Sequence, residues 1–226
     1  MRDLTSKIVL AHKGYFDREG RKHYRENSRE LCAVTTQKDY IGIIELDVRK
    51  SKDGIPYCYH GSTWEYFVAL KFRRNFSELR EKYHVDTLKE ILEVITEDKR
   101  VLLDIKDRAV TKEDILSSIG DKKFQEVILG GISTSFLKRF DGMPKEFVKV
   151  FFGNIFCNFY SLERLRKENF RYFDVVFPFQ ISAELVKKTR GLGMEFGCFS
   201  LFFRSQKSYW EKVNRYGIRR ISSDFI

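Results

Sequence analysis

The chain has 226 residues, 42% of them apolar and 33% charged, and a formal net charge of +10. That length supports one large core and leaves little room for two, and the composition excludes a disordered or collagen-like chain. The longest apolar runs, such as residues 148–152 (VKVFF) and 175–179 (VVFPF), are far shorter than the roughly 20 residues of a membrane-spanning helix.

Short β-rich runs recur along the chain. Residues 7–11 (KIVLA), 43–48 (IIELDV), 101–105 (VLLDI), 127–129 (VIL), 148–152 (VKVFF), 175–177 (VVF), 195–200 (EFGCFS) and 219–222 (RRIS) each read as a buried strand. Amphipathic segments fill the gaps, with helices expected over 28–38, 87–96, 112–118, 135–140, 162–168, 183–190 and 206–216. Thr87 with Glu90 three residues on has capping-box spacing, and Ser161 precedes the apolar pair Leu162 and Leu165.

Strands alternating with helices point to a parallel sheet with helical crossovers, and at this length closure is more economical than an open sheet. The expectation is an α/β fold, a single TIM (β/α)8-type barrel spanning residues 1–226 and lacking the last helix. An irregular excursion is expected at about 61–86, because that stretch has no clean period.

The first ten residues carry Arg2 and Lys7 but neither an apolar signal region nor a small-residue cleavage site, so a cytoplasmic location is expected. Cys32, Cys58, Cys157 and Cys198 form no CxxC pair and read as reduced core residues. The basic clusters at 18–22 and 71–74 read as solvated faces. The second lies among Trp64, Tyr66, Phe67 and Phe72, where contact with an anionic membrane surface is the alternative. No nucleic-acid motif accompanies the positive charge, so no specific nucleic-acid partner is expected.

Polar residues stand at the C-terminal ends of the early strands, where a parallel barrel carries its chemistry. His12 closes the first strand, Glu45 and Asp47 lie on the second, His60 follows the extended residues 56–59, and Asp104 with Lys106 ends the third. Residues two apart on a strand share a face, so Glu45 pairs with Asp47 and Asp104 with Lys106. Three carboxylates converging there suit one hard cation, Mg²⁺ or Ca²⁺, and the histidines suit proton transfer. Any one such residue is more often salt-bridged than catalytic; their occurrence together at comparable depth on the first three strands argues otherwise.

The run Ala11-His12-Lys13-Gly14, then Glu26-Asn27-Ser28, then residues 42–60 (GIIELDVRKSKDGIPYCYH) resembles the glycerophosphodiester phosphodiesterases. Asp104-Ile105-Lys106 resembles that family's later E-x-K strand, and residues 217–225 (GIRRISSDF) are a weaker echo of its closing segment. The resemblance implies a metal-dependent hydrolase acting on a small-molecule phosphodiester. It assigns Glu45, Asp47 and Asp104 to the metal, His12 and His60 to acid and base catalysis, Lys106 to the phosphate, and Glu26 to a place at or just behind the metal.

Several positions depart from the family pattern. Lys13 replaces an arginine, keeping the charge and losing the planar fork. Asp104 replaces a glutamate, as in the related sphingomyelinase D group, Gly61 stands where an aspartate follows the histidine, and residues 196–201 lack a Trp-Asn ending. These departures imply a shifted substrate. Cleavage of a lysophospholipid or sphingomyelin headgroup, and a non-catalytic phosphate-binding barrel, are the rival readings.

Overall fold

A computed structural model describes residues 7–17, 19–61, 74–131, 133–153, 162–175, 178–198 and 206–222. Nine strands are described: β1 (Ile8–Ala11), β2 (Ile41–Lys50), β3 (Pro56–Cys58), β4 (Arg100–Ile105), β5 (Glu126–Gly131), β6 (Phe147–Gly153), β7 (Phe170–Val175), β8 (Glu195–Cys198) and β9 (Arg220–Ser222). Eight run parallel in the order β1, β2, β4, β5, β6, β7, β8, β9, and the ring closes where β9 pairs with β1, Ile8 opposite Arg220. β3 lies outside the ring, antiparallel to β2.

The described helices are α1 (Gly20–His23), α2 (Arg29–Thr35), α3 (Phe76–Tyr83), α4 (Leu88–Val94), α5 (Lys112–Ile119), α6 (Thr134–Leu137), α7 (Leu162–Lys167), α8 (Ala183–Gly191) and α9 (Gln206–Arg215). The α/β barrel expected from the alternating pattern is the observed architecture. None of these helices is long and apolar enough to cross a membrane.

Side-chain alternation divides the core in two. Ile44, Leu46 and Val48 of β2 belong to the large cluster between barrel wall and helices, with Leu31, Ile91 and Ile115 from three of those helices. Ile43 faces the axis, in an inner cluster with Leu10, Leu102, Ile128, Val150 and Tyr172. Each such side chain contributes about 1.5–3 kcal/mol by leaving water. Truncating fully buried Leu102 to alanine would cost about 2–5 kcal/mol, because a closed ring collapses poorly around a void. By the same alternation Glu45, Asp47 and Arg49 face the axis above that apolar floor.

Two local readings differ from the structure. The sixth barrel strand is Phe170–Val175, upstream of the expected 175–177. Arg171 and Asp174 break its apolar run, yet Asp174 turns inward and pairs with Arg220 of β9, both fully buried. Gly197 between them leaves the room, since a Cβ there would lie 2.8 Å from Arg220 Nε and closer still to Asp174. The stretch expected to be irregular contains α3, whose Phe76 and Leu79 pack with Tyr57 and Val85 in a satellite core beside β3.

Cys32, Cys58 and Cys198 are buried free thiols, as expected, whereas Cys157 lies outside the described residues. So do Ser161, Trp64, Tyr66, Phe67 and residues 71–73 of the second basic cluster. The Thr87–Glu90 capping box is formed, with Glu90 N–H donating to Thr87 Oγ1 at 3.1 Å and Thr87 N–H to Glu90 Oε2 at 2.8 Å.

Candidate active site

The site is built where β1, β2 and β4 end. After Ala11 the chain enters a tight turn over His12–Gly14, with Lys13 in the left-handed region at φ 54°. That turn aims the Lys13 N–H at Glu45, which accepts it through Oε2 at 2.5 Å. Gly14, at φ +83°, lies against the helix α2 side chains, and a Cβ there would stand 3.1 Å from Leu31 and 3.2 Å from Cys32. The turn therefore fixes His12 and the Lys13 backbone together.

Glu45, Asp47 and Asp104 each offer a carboxylate oxygen, and the three oxygens lie within 4.8 Å of one another. The parallel register accounts for this, because Asp47 stands opposite Asp104 and Glu45 opposite Leu102. Lys106 continues the same face and reaches back, its Nζ 3.1 Å from Asp47 Oδ1 and hydrogen-bonded to Asp104 Oδ2.

Asn27 completes the first layer of contacts. Fully buried and left-handed at φ 53°, it donates from Nδ2 to Asp47 Oδ2 at 2.8 Å and accepts the Asp47 N–H at 2.9 Å. Its own N–H donates to the Lys13 carbonyl at 2.9 Å. Glu26, one residue earlier, stands outside the carboxylate cluster and pairs with Lys13 Nζ at 3.2 Å.

His12 is buried, and His60 is half-buried just beyond β3. His60 Nδ1 is 2.8 Å from the Gly61 carbonyl oxygen. A carbonyl only accepts, so Nδ1 carries the proton and the neutral ring keeps its lone pair on Nε2. Arg49 fastens the same segment, donating from Nε to the Tyr59 carbonyl and from Nη2 to the His60 carbonyl, both at 2.8 Å.

Burial and charge shift these groups in opposite directions. Burial, then Asp47 and Asp104, pushes the Glu45 carboxyl well above the usual carboxylate range. Burial also disfavours ionised Asp47, yet Lys106, His60, Asn27 and His12 outweigh it and hold that carboxyl below its ordinary value. Burial drives His12 down to about 3, with Lys13, Arg21 and Lys106 adding to the shift and Asp47 opposing it. His60 is lowered too, chiefly by burial, and Lys106 is raised by Asp104, Asp47 and Glu45 against the pull of burial.

The donor set fits a divalent cation. Three clustered carboxylates, with the Lys106 ammonium between Asp47 and Asp104, leave an excess of negative charge, and oxygen ligands of this kind suit a hard divalent cation.

Among the described residues the neighbouring strands give the mouth an apolar side. Gly130 of β5 stands opposite Asp104, and a Cβ on it would lie 2.6 Å from the Phe152 ring. Phe152 packs on the inner cluster and so caps the floor next to the carboxylates.

The structure thus gathers Glu45, Asp47, Asp104, Lys106, His12, Lys13 and His60 at one barrel mouth, with Glu26 at its edge. Sequence reasoning gave no role to Asn27, Arg49 or Phe152. Arg49 had a usable signal, standing two residues beyond Asp47 on the same strand face; Phe152 had none, because its place depends on Gly130.

No protein-family model and no curated protein matches the chain. Solved structures do. A glycerophosphodiester phosphodiesterase from Thermotoga maritima superposes with a TM-score of 0.72 at 24% identity, covering 97% of this chain and 95% of that one. One from Agrobacterium tumefaciens gives 0.73 at 15% identity and 97% coverage of both chains. An Oleispira antarctica phosphodiesterase, solved in complex with the product sn-glycerol-3-phosphate, gives 0.70 at 16% identity, covering 96% of this chain and 92% of that one. Over nearly its whole length, this chain has the barrel fold of the solved glycerophosphodiester phosphodiesterases.

Proposed function

We propose that the protein is a divalent-metal-dependent phosphodiesterase that hydrolyses a glycerophosphodiester to a phosphomonoester, such as sn-glycerol 3-phosphate, and an alcohol. The observation that carries this reading is the cluster of Glu45, Asp47 and Asp104 at the barrel mouth, with His12 and His60 beside it. The shared fold and the motifs around His12, Glu26 and residues 42–60 support it.

Glu45, Asp47 and Asp104 would hold the cation, whose chemistry is to stabilise charge growing on the phosphoryl oxygens. Lys106 and Lys13 add positive charge on the same side, preorganised by Asp47, Asp104 and Glu26. His12 and His60 divide the proton transfers between them: one, neutral, takes the proton of the attacking oxygen, either water or a neighbouring hydroxyl of the substrate, and the other, as imidazolium, gives a proton to the departing alkoxide as the new P–O bond forms and the old one breaks. Asn27 holds Asp47 in place, and Phe152 supplies an apolar surface to the organic part of the substrate.

Phosphorus NMR of the purified protein with glycerophosphodiesters and lysophospholipids, in Mg²⁺, Ca²⁺ or EDTA and beside His12→Ala, tests this reading. Metal-dependent appearance of a phosphomonoester, lost in the variant, is expected. Absence of turnover with every metal and substrate in a folded protein overturns it. Preference for a lysophospholipid would redirect it to lipid headgroup cleavage, the reading that Asp104 in place of glutamate favours.

A further inference from the structure

We propose that Arg49 is a positioning residue that sets the backbone of His60, and through it the direction of the imidazole. Arg49 is 5% exposed and occupies the inward face of β2, two residues beyond Asp47. Its Nε and Nη2 donate to the carbonyls of Tyr59 and His60, each at 2.8 Å. Those oxygens belong to the two peptide planes that flank the His60 Cα. Holding both planes fixes φ and ψ of His60, and so fixes its Cα–Cβ direction. The Gly61 carbonyl, accepting from Nδ1 at 2.8 Å, then fixes the ring.

The need for such a grip follows from how His60 is attached. The last β2–β3 pair is Val48 opposite Cys58, so His60 lies beyond the ladder. Tyr57 and Tyr59 pack on a satellite core with Phe76, Leu79, Val85 and Tyr83, while Cys58 between them is the segment's anchor in the large barrel cluster, two residues short of His60. Tyr59 N–H donates to the Asp47 carbonyl at 3.0 Å, which ties the segment to β2 at one further point. A guanidinium presents two N–H groups in one rigid plane and spans successive carbonyls; a lysine ammonium cannot hold both in a fixed geometry.

The kinetic consequence rests on the role assigned to His60 above; the structural one does not. The test combines a double-mutant cycle with amide hydrogen exchange on the full chain. Arg49→Ala should lower kcat by about 10- to 100-fold, the scale of a 1 Å misplacement, with KM changed less than about threefold. Arg49→Lys should recover only part of the loss. In a His60→Ala background, Arg49→Ala should cost nothing further. A full additional loss there would mean that Arg49 acts on substrate or on the fold by itself, and overturns the proposal.

Exchange at the amides of residues 59–61 should quicken by about tenfold or more in Arg49→Ala, and less in Arg49→Lys, while β2 and β4 keep their protection. Unchanged exchange at 59–61 overturns the proposal whatever the kinetics show. Because exchange needs no turnover, a protein inactive on every diester sinks the functional reading while this measurement still decides the grip of Arg49.

Discussion

Asn27 and Asp47 hold each other twice, amide to carboxylate at 2.8 Å and backbone N–H to amide oxygen at 2.9 Å, in a part of the barrel closed to solvent. This leaves Asp47 Oδ1 directed toward Lys106 and the rest of the carboxylate cluster. Asn27→Ala should weaken Mg²⁺ or Ca²⁺ binding by about 10- to 100-fold, the usual effect of removing a group that orients a ligand. The residue is also left-handed, which alanine tolerates poorly, so Asn27→Gly separates the two effects by keeping the backbone and losing the amide. Titration calorimetry with each metal should show both variants weakened, the glycine variant with the smaller loss of thermal stability.

Charge balance at the same cluster predicts a metal-dependent stability. Glu45, Asp47 and Asp104 repel one another when ionised, so millimolar Mg²⁺ or Ca²⁺ should raise the unfolding temperature relative to EDTA. At a metal concentration 100 times Kd the gain is about 2.7 kcal/mol. Glu45→Gln should be as stable as the parent in EDTA, or more so, and should lose most of the gain from metal. A scan showing the same unfolding temperature with metal and with EDTA would contradict the assignment of this cluster to a cation.

How much of this was legible beforehand depended on whether a feature was local. The His12, Glu45, Asp47, Asp104 and Lys106 positions follow from strand alternation and from where parallel barrels place their chemistry, and both are properties of short runs of sequence. Asp174 and Arg220 could not be found in that way. Asp174 falls just before the strand expected at 175–177 and Arg220 within the one expected at 219–222, and their pairing across a glycine requires knowing that β7, β8 and β9 are adjacent in a closed ring. The same limit hid β7, whose inward aspartate broke the apolar pattern, and α3, whose Phe76 and Leu79 pack in a satellite core.

Gly197 makes that buried pair a sensitive point. Arg220 also stacks on Tyr172, its guanidinium carbon 3.8 Å from the ring centroid, so it has little room to retreat. Gly197→Ala should cost at least about 3 kcal/mol, comparable to breaking a buried ion pair. Asp174→Asn should also destabilise, because it leaves the guanidinium charge uncompensated, whereas the paired change Asp174→Leu with Arg220→Met should be tolerated better than either single change. Urea unfolding followed by circular dichroism orders the five variants.

Glu90 supplies a pH-dependent contribution away from the site. Burial works against its carboxylate, but hydrogen bonds from the Thr87 N–H and hydroxyl and from Arg80 outweigh that and hold its pKa below the usual value. A carboxyl depressed in the folded state stabilises fully above its unfolded pKa, near ~4.3, and loses that contribution as pH falls through the folded value. Glu90→Gln keeps the acceptor of the capping box and removes the charge paired with Arg80, so it should cost at most about 1 kcal/mol at pH 7, with the difference from the parent closing in acid. A gap that stays constant from pH 7 to pH 3 would assign the loss to packing.

Closure of the ring by β9 against β1 has a consequence for how the protein comes into being. The strands that carry the site, β1, β2 and β4, are the first to be made, and their mutual pairing is local in the chain. Ile8 meets Arg220 only after almost everything between them has been laid down. A nascent chain that has not yet reached residue 220 presents two unpaired strand edges, on β1 and β8, with Leu10 and Tyr172 of the inner cluster lacking their enclosing wall. Closing the ring is thus a long-range, slow step, and the interval before it is when this chain most needs protection from joining its neighbours.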